Sequence, residues 1–342
     1  MKVTIRTVAQ MAGVSVPTVS RVFNSPELVN KVTRERILKI AESLDFYPND
    51  RARALRAPKK PIIGVLAWQI KDFFFGELLS GINQAAMQED MDVLLFDAQL
   101  DSKRGMEGLV FLKRQQSDGI IFTSSPVLDD YYAVITRLHV PVVLALTEGS
   151  KYNLCSFKID DTKAAFDAVG YLVARGHRSL AMISGPIEDA IAGGSRYSGF
   201  REAVNHYNLP FGEHQLAFGH YRYEHGYTAM AQLLEHRSET GITAVFAGSD
   251  EMAIGAMRCI HDHGLKVPED ISIIGFDNVP ISDMVTPKLT TIVQPFERIG
   301  MESVRYLKKA LANPGESYSG THFLPHRILE RESVSTRSYD SS

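Results

Sequence analysis

The first sixty residues carry their apolar side chains at the spacing of short helices. One stripe at i, i+3, i+4 and i+7 comprises Ile5, Val8, Ala9 and Ala12. Thr4 stands where an N-cap is expected, and Gly13 follows where a helix would stop. The pattern therefore predicts a first helix that ends in a glycine turn.

A second and a third helix are predicted after this turn. Ser15 is the expected N-cap of the second helix, and Pro17 falls in its first turn, where a missing N–H costs little. Its inward face consists of Val19, Val22 and Phe23, and its outward face of Val16, Pro17, Ser20 and Arg21. The third helix is expected to start near Thr33 and to bury Ile37, Leu38, Ile40, Ala41 and Leu44.

Two short helices across a glycine-containing turn predict a helix-turn-helix, whose second helix fits the major groove of DNA. Arg21 on that helix suits bidentate readout of guanine O6 and N7. The polar residues around it suit phosphate contacts and comprise Ser15, Thr18, Ser20 and Asn24. The alternative is a small helical bundle with an exposed arginine, which the turn spacing and the polar outward face disfavour.

The charge is divided unevenly along the chain. Residues 1–60 hold 12 Lys+Arg and 5 Asp+Glu, a net charge of +7, whereas the remainder holds 25 basic and 35 acidic residues, a net of −10. A basic module joined to an acidic one indicates a polyanion partner for the small module only. A solvated basic surface is the other interpretation of this charge.

The segment NDRARALR, residues 49–56, has helix-forming residues but is too short to persist as a helix in water. Pro58 and Pro61 stop it. We expect this segment to be disordered without DNA and helical with DNA. A plain basic linker is the alternative.

Residues 61–342 alternate between apolar runs of strand length and amphipathic helical stretches. The runs are 62–68, 92–98, 119–124, 141–146, 179–184, 243–248 and 271–276. This order predicts parallel sheets covered on both faces. Because about 280 residues exceed one such sheet, two similar lobes are expected.

The sequence shows no spaced motif of the kind that marks a catalytic, cofactor or metal site. It contains no GxGxxG after a strand, no GxxxxGK[ST] and no GxSxG, and its two cysteines stand apart. His261 and His263 point to different sides of a helix. Asp160 and Asp161 are expected to cap the helix beginning near Thr162. We therefore expect no enzyme, no cofactor and no metal site.

Polar and aromatic residues follow several predicted strands, where ligands bind in doubly wound sheets. They are Phe73, Phe74 and Phe75, Ser124 and Ser125, Ser249 and Asp250, and Asp277 and Asn278. Aromatic faces stack on the C–H faces of sugars, and charged groups take the hydroxyls. At least one of the three phenylalanines is expected to lie in the core instead.

The stretch TIRTVAQMAGVSVPTVSRVFN resembles the N-terminal signature of the lactose-repressor/galactose-repressor family of bacterial transcription regulators. The stretch VTRERILKIAESLDFYPNDRARALR resembles the third helix and hinge of that family. The resemblance implies further DNA contacts at Thr4, Tyr47, Leu55 and Arg56, with Leu55 wedged into the minor groove. Val16 and Pro17 stand at two base-reading positions but cannot donate hydrogen bonds, so more of the readout falls on Arg21.

The second part of the chain resembles the regulatory core of the family, which is similar to periplasmic sugar-binding proteins. The matching phrases are RGHRSLAMISGP, SRYSGFREA, FAGSDEMAIGAMR, PEDISIIGFDN and LTTIVQP. The implied effector contacts are Phe74, Phe75, Ser124, Arg196, Tyr221, Ser249, Asp277 and Gln294. Arg196 would clamp the ligand and Asp277 would accept its hydroxyls, although Arg196 could instead form an internal salt bridge.

Two departures from the family pattern bear on the effector. Ser249 stands where several sugar-responsive members carry Asn. Residues 189–192 lack the polar contacts of the purine-responsive member. These departures disfavour a purine without selecting a sugar.

The expected organisation is a small all-α helix-turn-helix headpiece, residues 1–48, a hinge, residues 49–60, and an α/β core, residues 61–342. The core is expected to consist of two doubly wound parallel-sheet lobes like those of periplasmic binding proteins. The expected partners are double-stranded operator DNA, a sugar effector and a second copy of the chain. The tail ESVSTRSYDSS has no leucine heptads to tie two dimers together.

The protein is further expected in the cytoplasm, because the N-terminus has no signal-peptide core and no apolar run reaches the ~20 residues of a membrane span. A sugar-binding transport protein and an α/β enzyme remain as alternatives. The basic headpiece argues against the first, and the missing catalytic constellation argues against the second.

Overall fold

The computed structural model describes residues 3–46, 60–314 and 319–337. The chain divides into two compact units, Met1–Lys60 and Pro61–Ser342. We refer to the described residues 3–46 of the first unit as the headpiece and to the second unit as the core.

The headpiece contains three helices, as the apolar spacing predicted: α1 (Ile5–Ala12), α2 (Val16–Asn24) and α3 (Lys31–Ser43). Gly13 ends α1 with a φ of 63°, a left-handed conformation that glycine adopts without steric cost. Ser15 caps α2 and accepts a hydrogen bond from the Thr18 amide at 3.3 Å.

The third helix differs from its prediction in two respects. It starts at Lys31, because the Asn30 side chain accepts hydrogen bonds from the Val32 and Thr33 amides at 2.9 and 3.2 Å. Leu38, expected in the core, is 42% exposed. Ile37 and Ala41 define the buried face, and Leu38 lies one residue, about 100°, around the helix from Ile37.

The core holds twelve strands among its described residues. They are β1 (Ile62–Ala67), β2 (Asp92–Asp97), β3 (Gly119–Thr123), β4 (Val142–Ala145), β5 (Cys155–Lys158), β6 (Leu180–Ser184), β7 (Leu216–Phe218), β8 (Ala244–Ala247), β9 (Ser272–Asp277), β10 (Thr290–Val293), β11 (Gly320–Phe323) and β12 (Arg327–Leu329). The predicted apolar runs correspond to β1–β4, β6, β8 and β9. The remaining strands were not predicted.

Helices connect most of these strands. They are α4 (Phe73–Gln88), α5 (Ser102–Arg114), α6 (Asp129–Leu138), α7 (Asp161–Ala174), α8 (Gly193–His206), α9 (Tyr223–Glu235), α10 (Arg237–Thr240), α11 (Asp250–Asp262) and α12 (Phe296–Ala312). In the described parts of the chain, no helix has both the length and the apolar character needed to cross a membrane.

The strands form two six-stranded sheets, which confirms the prediction of two lobes. The N lobe has the order β11-β5-β4-β3-β1-β2 with parallel pairing throughout. The C lobe has the order β12-β10-β9-β8-β6-β7, in which only β12 pairs antiparallel. Apolar clusters cover both faces of each sheet, as doubly wound sheets require.

The chain passes between the lobes after β5, after β10 and after β11. Neither lobe is therefore a continuous segment, and α12 packs in the N lobe although it follows C-lobe strands. The strands of both sheets present their carboxyl ends to one cleft between the lobes, where a ligand of a doubly wound fold binds.

Candidate functional site

The outward face of α2 agrees with the predicted recognition surface of the headpiece. Val16, Pro17 and Arg21 are exposed, while Val19 and Val22 are buried. Within the described residues, the Arg21 guanidinium makes no hydrogen bond and no ion pair. Its donors are therefore available to a base edge or a phosphate.

Hydroxyl and amide side chains of α1 and α2 hold one another in place. Ser15 Oγ lies 2.8 Å from Thr18 Oγ1, and the Asn24 amide donates to Ser20 Oγ at 3.0 Å. Thr4 caps α1, and its backbone amide donates to Thr7 Oγ1 at 3.3 Å. These pairs orient the polar side chains while leaving further hydroxyl and amide protons to donate to DNA phosphates.

Three of the predicted DNA contacts, Tyr47, Leu55 and Arg56, lie outside the described residues.

A cavity of about 460 Å³ lies between the two lobes of the core. The residues at the carboxyl ends of strands that line it are Trp68, Ser124, Leu146, Lys158, Ser249, Asp277 and Gln294. Both lobes contribute, so the wall of the cavity changes whenever the lobes move relative to each other.

Aromatic rings form the N-lobe wall of the cavity. Trp68, Phe73, Phe74 and Phe296 line it. The rings of Phe74 and Phe296 stack with centroids 5.3 Å apart. Phe75, which the resemblance implied as a contact, is instead buried in the N-lobe core, because the third residue of the run faces the sheet from the first turn of α4.

Arg196 both lines the cavity and forms the internal ion pair that was the alternative for it. Its Nε donates to Asp161 Oδ1 at 2.8 Å, and Nη1 donates to the Gly248 carbonyl at 2.6 Å. Its guanidinium carbon lies 3.7 Å from the Phe276 ring centroid. Nη2 is 3.8 Å from Asp277 Oδ1. The ion pair thus holds the guanidinium in a fixed orientation at the cavity.

Asp161 and Lys158 are site residues that the sequence prediction missed. Asp160 alone caps α7, with Oδ1 accepting from the Lys163 amide at 2.9 Å. Asp161 is buried and lies 3.1 Å from the buried Lys158 ammonium. A lysine at the end of a buried strand, separated from two aspartates only by Ile159, was the available signal for a buried charge cluster.

Asp277 is held in a strained and desolvated position. Its φ is 112°, in a region that side-chain-bearing residues rarely adopt. Gln294 donates to its Oδ1 at 2.7 Å. Burial raises the pKa of Asp277 to about 6, against the opposing effects of Arg196 and Gln294. The carboxylate is therefore ionised at neutral pH and close to its titration range.

Three further predicted contacts line the cavity. The Tyr221 hydroxyl donates to Asp189 at 2.7 Å, and burial raises the pKa of Tyr221. Ser249 caps α11 through the Met252 amide at 3.2 Å. Ser124 Oγ is buried and has no hydrogen-bond partner within the described residues, so it offers an unsatisfied polar group to a ligand.

An ion-pair network joins the lobes at the edge of the cavity. Arg222 of the C lobe pairs with Asp72 of the N lobe at 2.7 Å and with Glu251 at 3.3 Å. It also donates to Gln69. Burial raises the pKa of both Asp72 and Glu251, while Arg222 opposes that shift. We refer to these four residues as the interlobe latch.

Comparison with known proteins gives consistent matches over nearly the whole chain. Residues 4–49 match the model of bacterial regulatory proteins of the lacI family, and residues 169–334 match a periplasmic binding protein-like domain. Catabolite control protein A of Priestia megaterium is 38% identical over 334 residues, which span 98% of this chain and 100% of that protein.

Two solved structures extend this likeness to three dimensions. The lac repressor dimer bound to operator and the anti-inducer ONPF aligns with a TM-score of 0.82 and 27% identity, over 98% of this chain and 100% of that one. A complex of the transcriptional regulator CelR with cellobiose aligns with a TM-score of 0.71 and 26% identity, over 97% of this chain and 100% of that one.

Proposed function

Because this chain belongs to the lacI family of bacterial regulatory proteins, it is a transcriptional regulator, and we propose that its effector is a sugar or sugar derivative. We further propose that it represses a sugar-utilisation operon and leaves its operator when the effector binds. The observation that carries this proposal is the pairing, in one cavity, of an aromatic wall with a fixed guanidinium and a desolvated carboxylate.

This combination suits a polyhydroxylated ligand. The rings of Phe73 and Phe74 offer flat apolar faces to C–H groups, Asp277 accepts hydroxyl protons, and Arg196 donates. Ser124 supplies a hydroxyl that has no hydrogen-bond partner in the described part of the chain. The structural neighbour in complex with cellobiose is a precedent for a sugar in a related fold.

The surroundings of residues 189–192 support a sugar rather than a purine. Asp189 is occupied by the Tyr221 hydroxyl and by the amides of Ile191 and Ala192, at 3.1 and 3.4 Å. The side chains of Ile191 and Ala192 at the cavity wall have no polar atoms with which to read a base.

The proposed mechanism is thermodynamic linkage between the two ligands. A sugar that binds one lobe arrangement more tightly than another shifts the population of lobe arrangements, and DNA affinity changes by the same coupling free energy. A hundredfold change in operator affinity requires about 2.7 kcal/mol of coupling. The interlobe latch is the element whose geometry such a shift alters.

We also propose that the protein acts as a homodimer on a palindromic operator. The lac repressor neighbour is a dimer bound to operator. The two-fold symmetry of such a dimer requires matching half-sites in the DNA. Sedimentation equilibrium is expected to give a dimer, and a concentration-independent tetramer would contradict the proposal.

The test combines a gel shift on DNA upstream of the neighbouring genes with calorimetric titration of candidate sugars. The wild-type protein is expected to bind the DNA and to release it when the correct sugar is added. Asp277→Ala is expected to bind the DNA but to bind no sugar and remain bound. Asp283→Ala, which removes a 56% exposed carboxylate of the same lobe, is the control and should behave as wild type.

Two results would change the proposal. Tighter operator binding on addition of the ligand would make the effector a corepressor. Release by a purine base, with no sugar effective, would overturn the assignment of the ligand.

A further inference from the structure

Three potential metal ligands converge on the C lobe outside the cavity: His214, His236 and Glu239. Their ligand atoms all lie within 4.8 Å of one another. The two imidazole rings face each other with centroids 3.8 Å apart and planes at 22°. Nδ1 of His236 lies 3.6 Å from Oε2 of Glu239. None of the three lines the cavity between the lobes.

The backbone that carries His214 is fixed to the start of β6. His214 lies in the 3₁₀ turn Glu213–Gln215. The neighbouring Gln215 side chain is buried, donates to the carbonyls of Leu180 and Pro210 at 2.8 and 3.2 Å, and accepts from the Gly212 amide at 2.9 Å. The turn is therefore held in place while the His214 side chain is exposed to solvent.

The corner that carries His236 and Glu239 is fixed to the same part of the sheet. His236 joins α9 to α10, and its carbonyl accepts from the Thr240 amide at 3.0 Å and from Thr240 Oγ1 at 2.9 Å. The Thr240 carbonyl accepts from Ser179 Oγ at 2.7 Å. Since Ser179 and Leu180 are adjacent, hydrogen bonds hold both ligand-bearing segments next to the start of β6.

We propose that His214, His236 and Glu239 bind a transition-metal ion of the Zn²⁺ class. Two imidazoles and one carboxylate form a ligand set that zinc accepts, with water or another molecule in the fourth position, whereas Mg²⁺ and Ca²⁺ prefer oxygen ligands. Zn–N bonds of about 2.0–2.1 Å in a tetrahedral site place ligand atoms about 3.3 Å apart. The ligand atoms, which lie within 4.8 Å of one another, would need to approach by at most about 1.5 Å to reach that separation.

A bound ion would connect two segments beside the outermost strand of the C lobe. The turn that holds His214 leads directly into β7, which lies at the edge of the sheet. The ion would link the start of this edge strand to the corner between α9 and α10. Zinc is therefore expected to slow amide hydrogen exchange in β7 and to raise the thermal midpoint.

The test uses the full-length protein without a histidine tag, titrated calorimetrically with zinc chloride. One zinc ion per chain is expected. His214→Ala and His236→Ala should each weaken binding at least about tenfold, because even the loss of an outer-shell partner costs 10–100-fold. The control His261→Ala removes an 80% exposed histidine of α11 and should leave zinc affinity unchanged.

A titration with Co²⁺ gives a second readout that does not depend on heat. A site of low coordination number should give visible absorption bands much stronger than those of the hydrated ion, and His236→Ala should abolish them. Glu239→Gln should weaken both Zn²⁺ and Co²⁺ binding. No zinc binding by the wild type, or zinc binding that survives both His214→Ala and His236→Ala, would overturn the proposal.

Discussion

At the scale of single residues, some side chains of the headpiece hold one another in place, and another is available to read DNA bases. Ser15, Thr18 and Asn24 are engaged with neighbouring side chains, whereas the Arg21 guanidinium is exposed and makes no ion pair or hydrogen bond among the described residues. The two positions at the start of α2, Val16 and Pro17, contribute no side-chain donor. We therefore expect Arg21 to carry most of the direct base readout by this helix.

Arg21→Ala is expected to weaken operator binding by about 1–3 kcal/mol and to weaken binding to random DNA much less. Fluorescence anisotropy on both DNAs at one salt concentration measures the difference. Arg36→Ala, which removes an exposed charge of α3, is the control for the loss of net charge. Equal losses on both DNAs would reduce Arg21 to a phosphate contact.

Asp277 is expected to make stability depend on pH. The folded carboxyl titrates at about pH 6, and its ordinary pKa is 3.8. Between these values the folded state binds more protons than the unfolded state, so the free energy of unfolding falls as pH rises from about 4 to about 6. The fall attributable to this group is on the order of 3 kcal/mol, and it levels off above about pH 7, where the folded carboxyl is almost fully ionised.

Urea unfolding across this pH range measures the dependence. Asp277→Asn should remove the part of the pH dependence that Asp277 causes, since the amide can still accept from Gln294 but does not titrate. Asp283→Asn, on an exposed carboxylate, should leave the dependence intact. An unchanged pH profile in Asp277→Asn would contradict the assigned origin.

At the scale of elements, the packing of α4 against α12 depends on a glycine. A Cβ at Gly81 would lie 2.0 Å from the backbone carbonyl oxygen of Glu297, whereas a Cβ at Gly76 of the same helix meets nothing within 4 Å. Gly81→Ala should therefore destabilise the protein by about 1–3 kcal/mol through overpacking. Gly76→Ala should stabilise it by up to about 1 kcal/mol through helix propensity. Thermal unfolding of both variants gives the comparison, and similar midpoints would refute this interpretation of the contact.

The apolar pattern was sufficient to predict most of the interior strands of the two sheets. It predicted β1, β3, β8 and β9, which are nearly fully buried, and it predicted two lobes. It missed the interior strands β5 and β10, whose four residues mix polar and apolar side chains and so form no apolar run. It also missed β7, β11 and β12, which are edge strands of three or four residues, too short and too exposed to show an apolar run. Edge strands form because a neighbouring strand offers hydrogen bonds, which local sequence does not record.

The sequence predicted those residues of the cavity that lie at the ends of strands. Asp277, Ser249 and Ser124 follow predicted strands, and all three line the cavity. The pairing of Asp161 with both Arg196 and Lys158 was not predictable from local sequence, because the three residues come from different elements and meet only when the lobes form. The position of Phe75 in the core likewise depends on how α4 packs in the N lobe, which the local sequence does not show.

At the scale of the whole molecule, the interlobe latch is expected to control how closely the lobes approach. Arg222 neutralises two carboxylates, Asp72 from the N lobe and Glu251 from the C lobe, whose exposed fractions are 16% and 18%. Removing the guanidinium leaves these acids facing each other without a counter-charge. Burial already raises the pKa of both, so their desolvation is costly without Arg222.

Arg222→Met retains most of the side-chain volume but removes the charge. It should favour a more open arrangement of the lobes, seen as a larger radius of gyration in small-angle X-ray scattering of the free protein. The expected destabilisation is about 1–3 kcal/mol, between the values for surface and buried ion pairs, because Arg222 is partly exposed. If lobe closure is linked to DNA binding, the operator affinity of this variant should also change. A change in the population of lobe arrangements alters the lobe-closure equilibrium and the DNA-binding equilibrium together.

Arg258→Met provides the matched control. Arg258 is 58% exposed and pairs with Asp262 within α11, so its loss should change stability little and leave the scattering profile unchanged. Asp72→Asn, combined with Arg222→Met, should restore part of the closed population, because it removes one of the two unpaired acids. If Arg222→Met has the same radius of gyration as the wild type, the interlobe latch forms as a result of lobe closure and does not determine it. Lobe closure would then depend on the packing of the crossover segments after β5, β10 and β11.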